Sequence, residues 1–282
     1  MTDPSSAPIR EPQSAARLSR TFSKSLSAVD LAEPLASLDD NQPAAMGADL
    51  LRSRNLGVLG VRRAGSMAGW VQAEDLVNGT MGDHARPFRE EEVLDETAGL
   101  DAVLCALTTT EHIFIRWLGE VTAVITRRDL QKPPLRMWLF GAVTILDLNM
   151  THAIEALYPA DSWQDRISQG RLDKALALRA ERQRCGTDCR LVDCLQIKDK
   201  ADILVRDGAN LPALGLNSRR EADRLSRDIE SLRNHLAHAQ ELEDAHLATA
   251  ARLASLINSI LQAEGVQRIV EARRNADSST SR

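Results

Sequence analysis

Two groups of polar residues in this 282-residue chain have types and spacings that could do chemistry. In the first group an aspartate follows another polar residue by three positions, as in Thr126 with Asp129 and Gln72 with Asp75. At a turn between a strand and a helix, a hydroxyl and a carboxylate at this spacing can reach the diol of a ribose and a nearby phosphate. Thr and Asp also cap helices without any ligand, so helix capping alone is the alternative interpretation.

The second group is Arg233, Asn234 and His238, which lie on a helix predicted from Ser218 to Gln240. Residues i and i+4 share a helix face, so Asn234 can orient the His238 imidazole. Arg233 and His238 are five positions apart, about 140° around an ideal helix, and converge poorly within one chain. Two such helices facing each other in a symmetric dimer could bring them together. The alternative is an exposed polar face on an amphipathic helix.

The composition is that of a soluble protein, with 43% hydrophobic and 27% charged residues. The formal net charge is −5, so nucleic-acid binding would need a local basic patch. The longest apolar run, Met137 to Leu146, is far shorter than the roughly twenty residues that cross a bilayer, and no transmembrane helix is predicted. The stretch up to about Val29 lacks the apolar segment of a secretory signal. We therefore expect a cytoplasmic protein with a disordered N-terminal tail, in which Ala15 to Leu26 could form a short interaction helix.

The four cysteines are expected to be thiols rather than disulfides, because the chain is long and shows no export signal. Cys185, Cys189 and Cys194 are close in sequence, but structural zinc sites use four ligands, usually in tighter pairs. Cys105 lies far upstream, and no nearby histidine completes a set. The sequence therefore predicts no metal site.

The first half of the chain repeats itself at an offset of 54 residues without a gap. Each copy is predicted to form a helix, a strand, a turn at glycine, a second strand and the start of another helix near the aspartate. The predicted elements are Ala44 to Arg54, Val58 to Arg62, Gly69 to Gln72 and Glu74 to Leu76 in the first copy, and Asp95 to Leu107, His112 to Trp117, Thr122 to Thr126 and Arg128 to Leu130 in the second. Such small copies leave sheet surface uncovered, so the two should pack together as one domain.

This repeat resembles a tandem CBS domain pair, whose second strand typically ends in G-[IV]-[IV]-T-x-x-D-[LI]. The segment from Val124 to Leu130 matches this pattern, although Ala123 stands in the glycine position. The segment from Gly69 to Leu76 keeps the glycine and the aspartate but has Gln72 where the family prefers Thr or Ser. The resemblance covers roughly residues 30–132. It implies an adenine nucleotide such as AMP or ATP as a regulatory ligand, held by Thr126 and Asp129 in the better site and by Gln72 and Asp75 in the other.

After Pro133 and Pro134 the sequence changes to long helical periods. The predicted helices are Leu135 to Leu157, Ser162 to Arg182, Leu191 to Val205, Ser218 to Gln240 and Asp244 to Ala263. The expected fold class is therefore α+β, with a CBS pair followed by an all-α bundle. The expected division is a tail over residues 1–29, the CBS pair over 30–132 with copies at about 30–80 and 84–132, a helical domain over 133–265 and a tail over 266–282.

The run from Leu232 to His238 is similar to the R-N-x-x-x-H form of the motif of HEPN domains, which are all-helical ribonucleases and nucleic-acid-associated modules. The order of a CBS pair, a linking segment from Arg127 to Phe140 and a helical domain also resembles such a fusion. The resemblance implies a homodimeric, metal-independent endoribonuclease controlled by the nucleotide. His238 would be the general acid or base, Arg233 would stabilise charge on the phosphate, and Asn234 would orient the imidazole.

One alternative to this function stays open. Many HEPN relatives have lost cleavage, so the helical half could be a non-catalytic dimeric module that binds RNA or a protein. Between Arg166 and Arg190, seven basic residues stand against three acidic ones. These residues could contact RNA, or they could form an ordinary charged helix surface.

Overall fold

A computed structural model describes residues 25–262 of the chain, apart from residues 207, 209, 212–215 and 239. Most of the predicted N-terminal tail, with part of the possible interaction helix, and the predicted tail over 266–282 therefore lie outside the described residues. The described chain divides into two compact units, which we call the N-terminal unit, residues 25–136, and the helical unit, residues 137–262. Each unit is described by itself below.

The N-terminal unit contains the same order of elements twice. In each copy a short strand precedes a helix and a two-stranded hairpin, and a 3-10 turn follows the hairpin. An additional strand, β1, precedes the first copy. The elements are β1 (Glu33–Pro34), β2 (Ser37–Asp39), α1 (Ala44–Ser53), β3 (Leu59–Arg63), β4 (Ser66–Val71), β5 (Val93–Asp95), α2 (Leu100–Thr109), β6 (His112–Trp117) and β7 (Glu120–Thr126), with 3-10 turns at Ala73–Asp75 and Arg127–Gln131.

The pairing of the strands follows the 54-residue repeat. Leu59 pairs with Val71 across β3 and β4, and Ile113 pairs with Ile125 across β6 and β7. A register shift follows Val61 in the first hairpin and follows Ile115 in the second, which is the equivalent position. In each copy the short strand lies parallel to the first hairpin strand, β2 beside β3 and β5 beside β6.

Both hairpins turn through two residues with positive φ. These are Ala64 at 50° with Gly65 at 86°, and Leu118 at 51° with Gly119 at 89°. Two successive left-handed residues give the turn whose twist matches that of paired strands, and glycine adopts this conformation without steric cost. This requirement explains why the repeat keeps a glycine at both positions.

The first strand of the unit joins the second copy's sheet. β1 pairs antiparallel with β7, with Glu33 opposite Val124, so the sheets have the orders β1-β7-β6-β5 and β2-β3-β4. The inward side chains of both hairpins are fully buried, including Val61 and Ile115. The two copies belong to the same compact unit.

The two short parallel strands were not predicted from the sequence, and the second changes a prediction. Asp95 was expected to begin a helix but ends β5, and α2 begins at Leu100. A three-residue strand is too short to show an alternating pattern, so its hydrogen bonds to β6 decide the structure here.

The helical unit contains five α-helices within the described residues. They are α3 (Pro133–Leu157, which begins in the N-terminal unit), α4 (Gln169–Arg184), α5 (Ile197–Val205), α6 (Arg219–Ala237) and α7 (Asp244–Gln262). The predicted second helix begins later than expected, at Gln169, because a 3-10 turn at Gln164–Arg166 is followed by Ile167 in an extended conformation. The predicted third helix is divided, with a 3-10 turn at Leu191–Cys194 before α5.

Helix α3 is the one described helix long and apolar enough to cross a bilayer, judged by length and composition. Its most apolar window has a mean hydropathy of 1.2 and is 56% buried inside the structure. The uninterrupted apolar run considered above ends at Leu146, and the helix continues through Asp147, whose carboxylate pairs with Lys200, at 2.8 Å. Core helices meet the same criterion, so the expectation of no transmembrane helix stays a prediction.

Candidate functional site

A cavity of about 790 Å³, which we call the N-terminal cavity, lies where the hairpins of both copies end. Its wall combines apolar strand residues with charged residues from the turns. The lining residues used below are Glu33, Leu35, Arg54, Val58, Gln72, Glu111, His112, Val124, Thr126, Arg128 and Asp129. Three of the four residues predicted to bind nucleotide therefore lie at one cavity, and the fourth, Asp75, does not line it.

The Asp129 carboxylate holds the turn that follows β7. Its Oδ2 accepts hydrogen bonds from the backbone N and the Oγ1 of Thr126, both at 2.8 Å. Its Oδ1 forms an ion pair with Lys132, at 2.9 Å, and Lys132 also donates to Glu33 and to the Leu31 carbonyl. Burial alone would lower the pKa of Lys132, but its hydrogen bonds to Glu33 and Asp129 raise it. Lys132 therefore remains a cation that holds this carboxylate beside the cavity.

The equivalent turn of the first copy has the same backbone bond but a different surrounding. The backbone N of Gln72 donates to Oδ2 of Asp75, at 3.1 Å. The other oxygen of Asp75 forms an ion pair with Arg86. Asp75 thus caps its turn as Asp129 does, but its charge is neutralised away from the cavity.

In the first copy, aromatic side chains fill the position that is equivalent to the N-terminal cavity of the second copy. Trp70 stands where the second copy has Val124, and Trp70 is only 5% exposed. Its ring contacts His112 with centroids 4.8 Å apart and Phe114 with centroids 5.4 Å apart, and Arg86 lies over it at 5.2 Å. Phe88, which corresponds to Pro34, packs edge-on against Phe114. A cavity is therefore open beside Val124 in the second copy, whereas the equivalent position in the first copy is filled by Trp70.

The charges around the N-terminal cavity have both signs. Arg127 is held by Glu111, at 3.0 Å. Arg54 and Arg128 are exposed and form no ion pair with any other residue that the structure describes. Burial lowers the pKa of His112, while Glu92 and Glu111 act against that shift, so this ring stays neutral near pH 7. Arg54 and Arg128 are thus the cations available to a phosphate.

Arg233 and Asn234 line a second cavity, of about 520 Å³, which we call the helical cavity. Arg182, Asp147 and Cys194 also lie on its wall. The amide oxygen of Asn234 accepts a hydrogen bond from Arg233, at 3.1 Å.

The third residue of the predicted motif, His238, does not line the helical cavity. It caps the C-terminus of α6, where its backbone N donates to the carbonyl of Asn234, at 3.1 Å. Asn234 is thus hydrogen-bonded to Arg233 through their side chains and to His238 through the backbone. The helix ends at Ala237, three residues before the predicted end at Gln240, and the orientation of the imidazole by the Asn234 amide stays a prediction.

His235 faces away from the motif and contacts the next helix. Its ring lies 3.9 Å from that of His246 on α7, and its Nδ1 bonds the carbonyl of Ser231, at 2.9 Å. His246 is 7% exposed, and its Nδ1 accepts the backbone N–H of Glu243, at 3.2 Å. Burial and the neighbouring His235 lower the pKa of His246, which favours its neutral ring in the contact between α6 and α7.

A third cavity, of about 790 Å³, is strongly basic and was not predicted from the sequence. Its cations come from three separate segments, so no short window of sequence contains them. The charged residues on its wall are Arg166, Lys198, Asp202, Arg206, Arg219, Asp223 and Arg227. Arg166 belongs to the basic stretch considered above, and the other cations come from α5 and α6 or lie just beyond α5.

Within the described residues, no group of three His, Cys, Asp or Glu side chains lies close enough to hold a metal ion. The four cysteines are free thiols.

Comparisons with known proteins give no family model and no curated protein that matches the chain. Solved structures of CBS domains match about 40% of it. CBSX2 in complex with AMP is 16% identical, with a TM-score of 0.35, over 40% of this chain and 98% of its own. The CBS domains of a transcriptional regulator from Streptococcus pneumoniae are 16% identical, with a TM-score of 0.34, over 37% of this chain and 96% of their own. The CBS domain of a bacterial CNNM/CorC family Mg²⁺ transporter in complex with ATP is 14% identical, with a TM-score of 0.33, over 42% and 94%.

All three TM-scores are below 0.5, so the CBS resemblance of the N-terminal unit rests on its sequence and stays an expectation. The AMP and the ATP belong to the proteins in which they were found, and similarity at this level does not show what this chain binds. The resemblance of the helical unit to HEPN domains has no support from these comparisons and stays a prediction.

Proposed function

We propose that the chain is a regulatory protein whose N-terminal unit binds one adenine nucleotide in the N-terminal cavity. The observation that carries this proposal is the asymmetry of the repeat. Thr126 and Asp129 line an open cavity, whereas the equivalent place in the first copy is filled by Trp70.

The N-terminal cavity offers a separate contact for each part of a nucleotide. An ionised carboxylate has about four acceptor positions, and at Asp129 three are used by Thr126 N, Thr126 Oγ1 and Lys132, which leaves one for a sugar hydroxyl. Arg54 and Arg128 are placed to bind a phosphate. Leu35, Val58 and Val124 give an apolar wall for a base. Adenine in particular is implied by the CBS resemblance.

Calorimetry of the full chain with AMP, ADP and ATP tests this proposal. We expect saturable binding of at least one of them, with one site per chain. Val124→Trp introduces the side chain that fills the first copy and should abolish binding. Glu120→Trp, which places the same side chain at the exposed start of β7, is the matched control and should bind normally. Two sites per chain, undiminished binding by Val124→Trp, or no binding of any of the three nucleotides would contradict the proposal.

For the helical unit we propose RNA as the ligand, with metal-independent cleavage as the activity that the HEPN resemblance implies. One observation favours a polyanion: the basic cavity has five cations against two carboxylates. The helical cavity holds Arg182 and Arg233 together with Asp147, Asp193 and Glu230, so its charge alone does not select a polyanion. In cleavage, His238 would transfer the proton and Arg233 would stabilise the phosphate, while the attacking 2′-OH belongs to the RNA. The products would be a 2′,3′-cyclic phosphate and a 5′-OH. A homodimer would bring Arg233 of one chain toward His238 of the other.

Incubation of the full chain with RNA in EDTA, with and without adenine nucleotide, tests this activity. Cleavage should continue in EDTA and should fall roughly 10²–10⁴-fold in His238→Ala, since proton transfer contributes about that much. RNA with 2′-O-methyl groups should resist. Cleavage that needs Mg²⁺ or acts on 2′-O-methyl RNA would refute the chemistry. Binding of RNA without cleavage would instead support the non-catalytic alternative, and full cleavage by a monomer in light scattering would contradict the composite site.

A further inference from the structure

Two cysteines that neither proposed function uses lie next to each other in the helical unit. The Sγ atoms of Cys189 and Cys194 are 3.8 Å apart. A disulfide has an S–S distance of about 2.05 Å, so the two sulfurs need to approach by less than about 2 Å, which side-chain rotation can supply. Cys189 is partly exposed and Cys194 is 6% exposed. The Cys189 thiol is thus accessible to a reagent, and the Cys194 thiol is buried next to it.

The backbone around the pair is held on both sides. Arg190 forms ion pairs with Asp193 and with Glu155 on α3. Arg182 on α4 donates to the carbonyl of Asp193, at 3.1 Å. The short turn Leu191–Cys194 therefore stays in position while the side chains of Cys189 and Cys194 rotate.

A cation lies beside the buried sulfur. Nη1 of Arg182 is 3.8 Å from Sγ of Cys194. Burial raises the pKa of the Cys194 thiol, as does its contact with Cys189, while the Arg182 guanidinium acts in the opposite direction. Cys194 is therefore mainly a protonated thiol until a sulfur electrophile forms next to it, and Arg182 stabilises the thiolate as it attacks.

We propose that Cys189 and Cys194 form a reversible redox pair that closes to a disulfide when the chain meets a peroxide. Hydrogen peroxide oxidises the Cys189 thiolate to a sulfenic acid and releases hydroxide. The Cys194 sulfur then attacks the Cys189 sulfur, the S–S bond forms, and the sulfenic oxygen leaves as water. Overall, two thiols and one peroxide give one disulfide and two waters. A dithiol such as dithiothreitol restores both thiols by exchange.

The neighbouring cysteine, Cys185, is the competitor within the same segment. Cys185 is exposed at the end of α4, where its sulfur lies 4.0 Å from Glu181 rather than near another sulfur. Cys105 is exposed and belongs to the N-terminal unit. Geometry therefore selects Cys189 as the partner of Cys194. The proposal does not depend on RNA cleavage, although Cys194 and Arg182 also line the helical cavity and oxidation would change its wall.

Peptide mapping of the full chain can identify the bond directly. Trypsin cuts after Arg184, Arg190 and Lys198, so Cys194 falls in a different peptide from Cys185 and Cys189. After peroxide treatment and blocking of the remaining thiols, we expect the peptides 185–190 and 191–198 to be joined, with the loss of two hydrogens. The link should persist in Cys185→Ser and disappear in Cys189→Ser and Cys194→Ser, and dithiothreitol should remove it from the wild type.

Three outcomes would overturn the proposal. A link that survives Cys189→Ser would assign the bond to Cys185. Cross-linked dimers on a non-reducing gel, without a link inside one chain, would show that the exposed cysteines react first. Oxidation of Cys189 to a sulfinic acid while Cys194 remains a free thiol would show that the two sulfurs do not meet in solution. Circular dichroism of the serine variants shows whether the fold is retained in each comparison.

Discussion

The turn carboxylates Asp129 and Asp75 allow a matched test of the proposed nucleotide site within one molecule. Both accept a hydrogen bond from the backbone N three residues earlier, and their side chains are similarly buried, at 12% and 15% exposure. Both also pair with one cation, Lys132 or Arg86. They differ in that Asp129 lines the N-terminal cavity and Asp75 does not. Asp129→Asn and Asp75→Asn therefore cause closely similar local changes, apart from the bond that Asp129 accepts from Thr126 Oγ1, and should differ chiefly in ligand binding.

The expected loss follows from one charge-assisted hydrogen bond. In Asp129→Asn the new amide would keep an oxygen for the backbone N of Thr126, but the charge that a ribose hydroxyl meets would be lost. Hydrogen bonds to charged groups contribute about 1.5–3 kcal/mol, which corresponds to a roughly 10- to 150-fold increase in Kd for Asp129→Asn. Asp75→Asn should change Kd by less than about 3-fold, because Asp75 interacts with Arg86 instead of the cavity.

Calorimetric titration of both variants and the wild type with the tightest-binding adenine nucleotide measures these differences. Thermal unfolding of the three proteins without ligand is the control, and the two variants should lose similar amounts of stability. Equal losses of affinity would show that the carboxylates act only through their turns. A larger loss in Asp75→Asn would place the ligand on the Trp70 side and refute the assignment.

Two further predictions concern the stability of the chain. Burial lowers the pKa of His112 and of His246 in the folded chain. In the unfolded chain the pKa of histidine is about 6.5, so near and below that pH the unfolded chain binds more protons than the folded one. The free energy of unfolding should therefore fall as the pH drops from about 7 to 5. His246→Gln should reduce that slope in urea titrations, and an unchanged slope would contradict the assignment. At the Asp147–Lys200 pair, the Lys200 side chain is 3% exposed and that of Asp147 is 35% exposed. Asp147→Ala should therefore cost about 3–5 kcal/mol by leaving a buried ammonium unpaired, and Lys200→Met should cost less, which denaturant unfolding can measure.

The sequence predicted the hairpins of the N-terminal unit well, because their signals are local. Alternating apolar residues and the turn glycines at Gly65 and Gly119 placed both hairpins, and the 54-residue repeat made Leu59 equivalent to Ile113 and Val71 equivalent to Ile125. The pairing of Leu59 with Val71 and of Ile113 with Ile125 came from the structure. The short strands β2 and β5 could not be found in this way, since three residues carry no periodicity and depend on pairing with a distant strand.

The helical unit shows a similar division between local and non-local signals. Ser218 was expected to begin a helix with Glu221, and its side chain accepts the backbone N–H of Glu221, at 3.2 Å. The C-terminus of the same helix was placed too late, at Gln240 rather than at Ala237, and His238 is the residue that caps it. The residues of the basic cavity come from three segments that only the fold brings together. The charge pattern of the sequence therefore indicated only one of its cations, Arg166.

Capping and ligand binding, which the sequence presents as alternatives for the T-x-x-D pattern, are compatible in this structure. Asp129 and Asp75 both cap, so capping does not distinguish a binding copy from a non-binding one. What distinguishes them is the residue two positions before the polar residue of each motif, Val124 in one copy and Trp70 in the other. Because a buried tryptophan stabilises the core where a cavity would otherwise lie, the first copy gains packing at the position where the second keeps space for a ligand. Under the proposed function, the nucleotide therefore binds to the second copy, and the sensing depends on that copy.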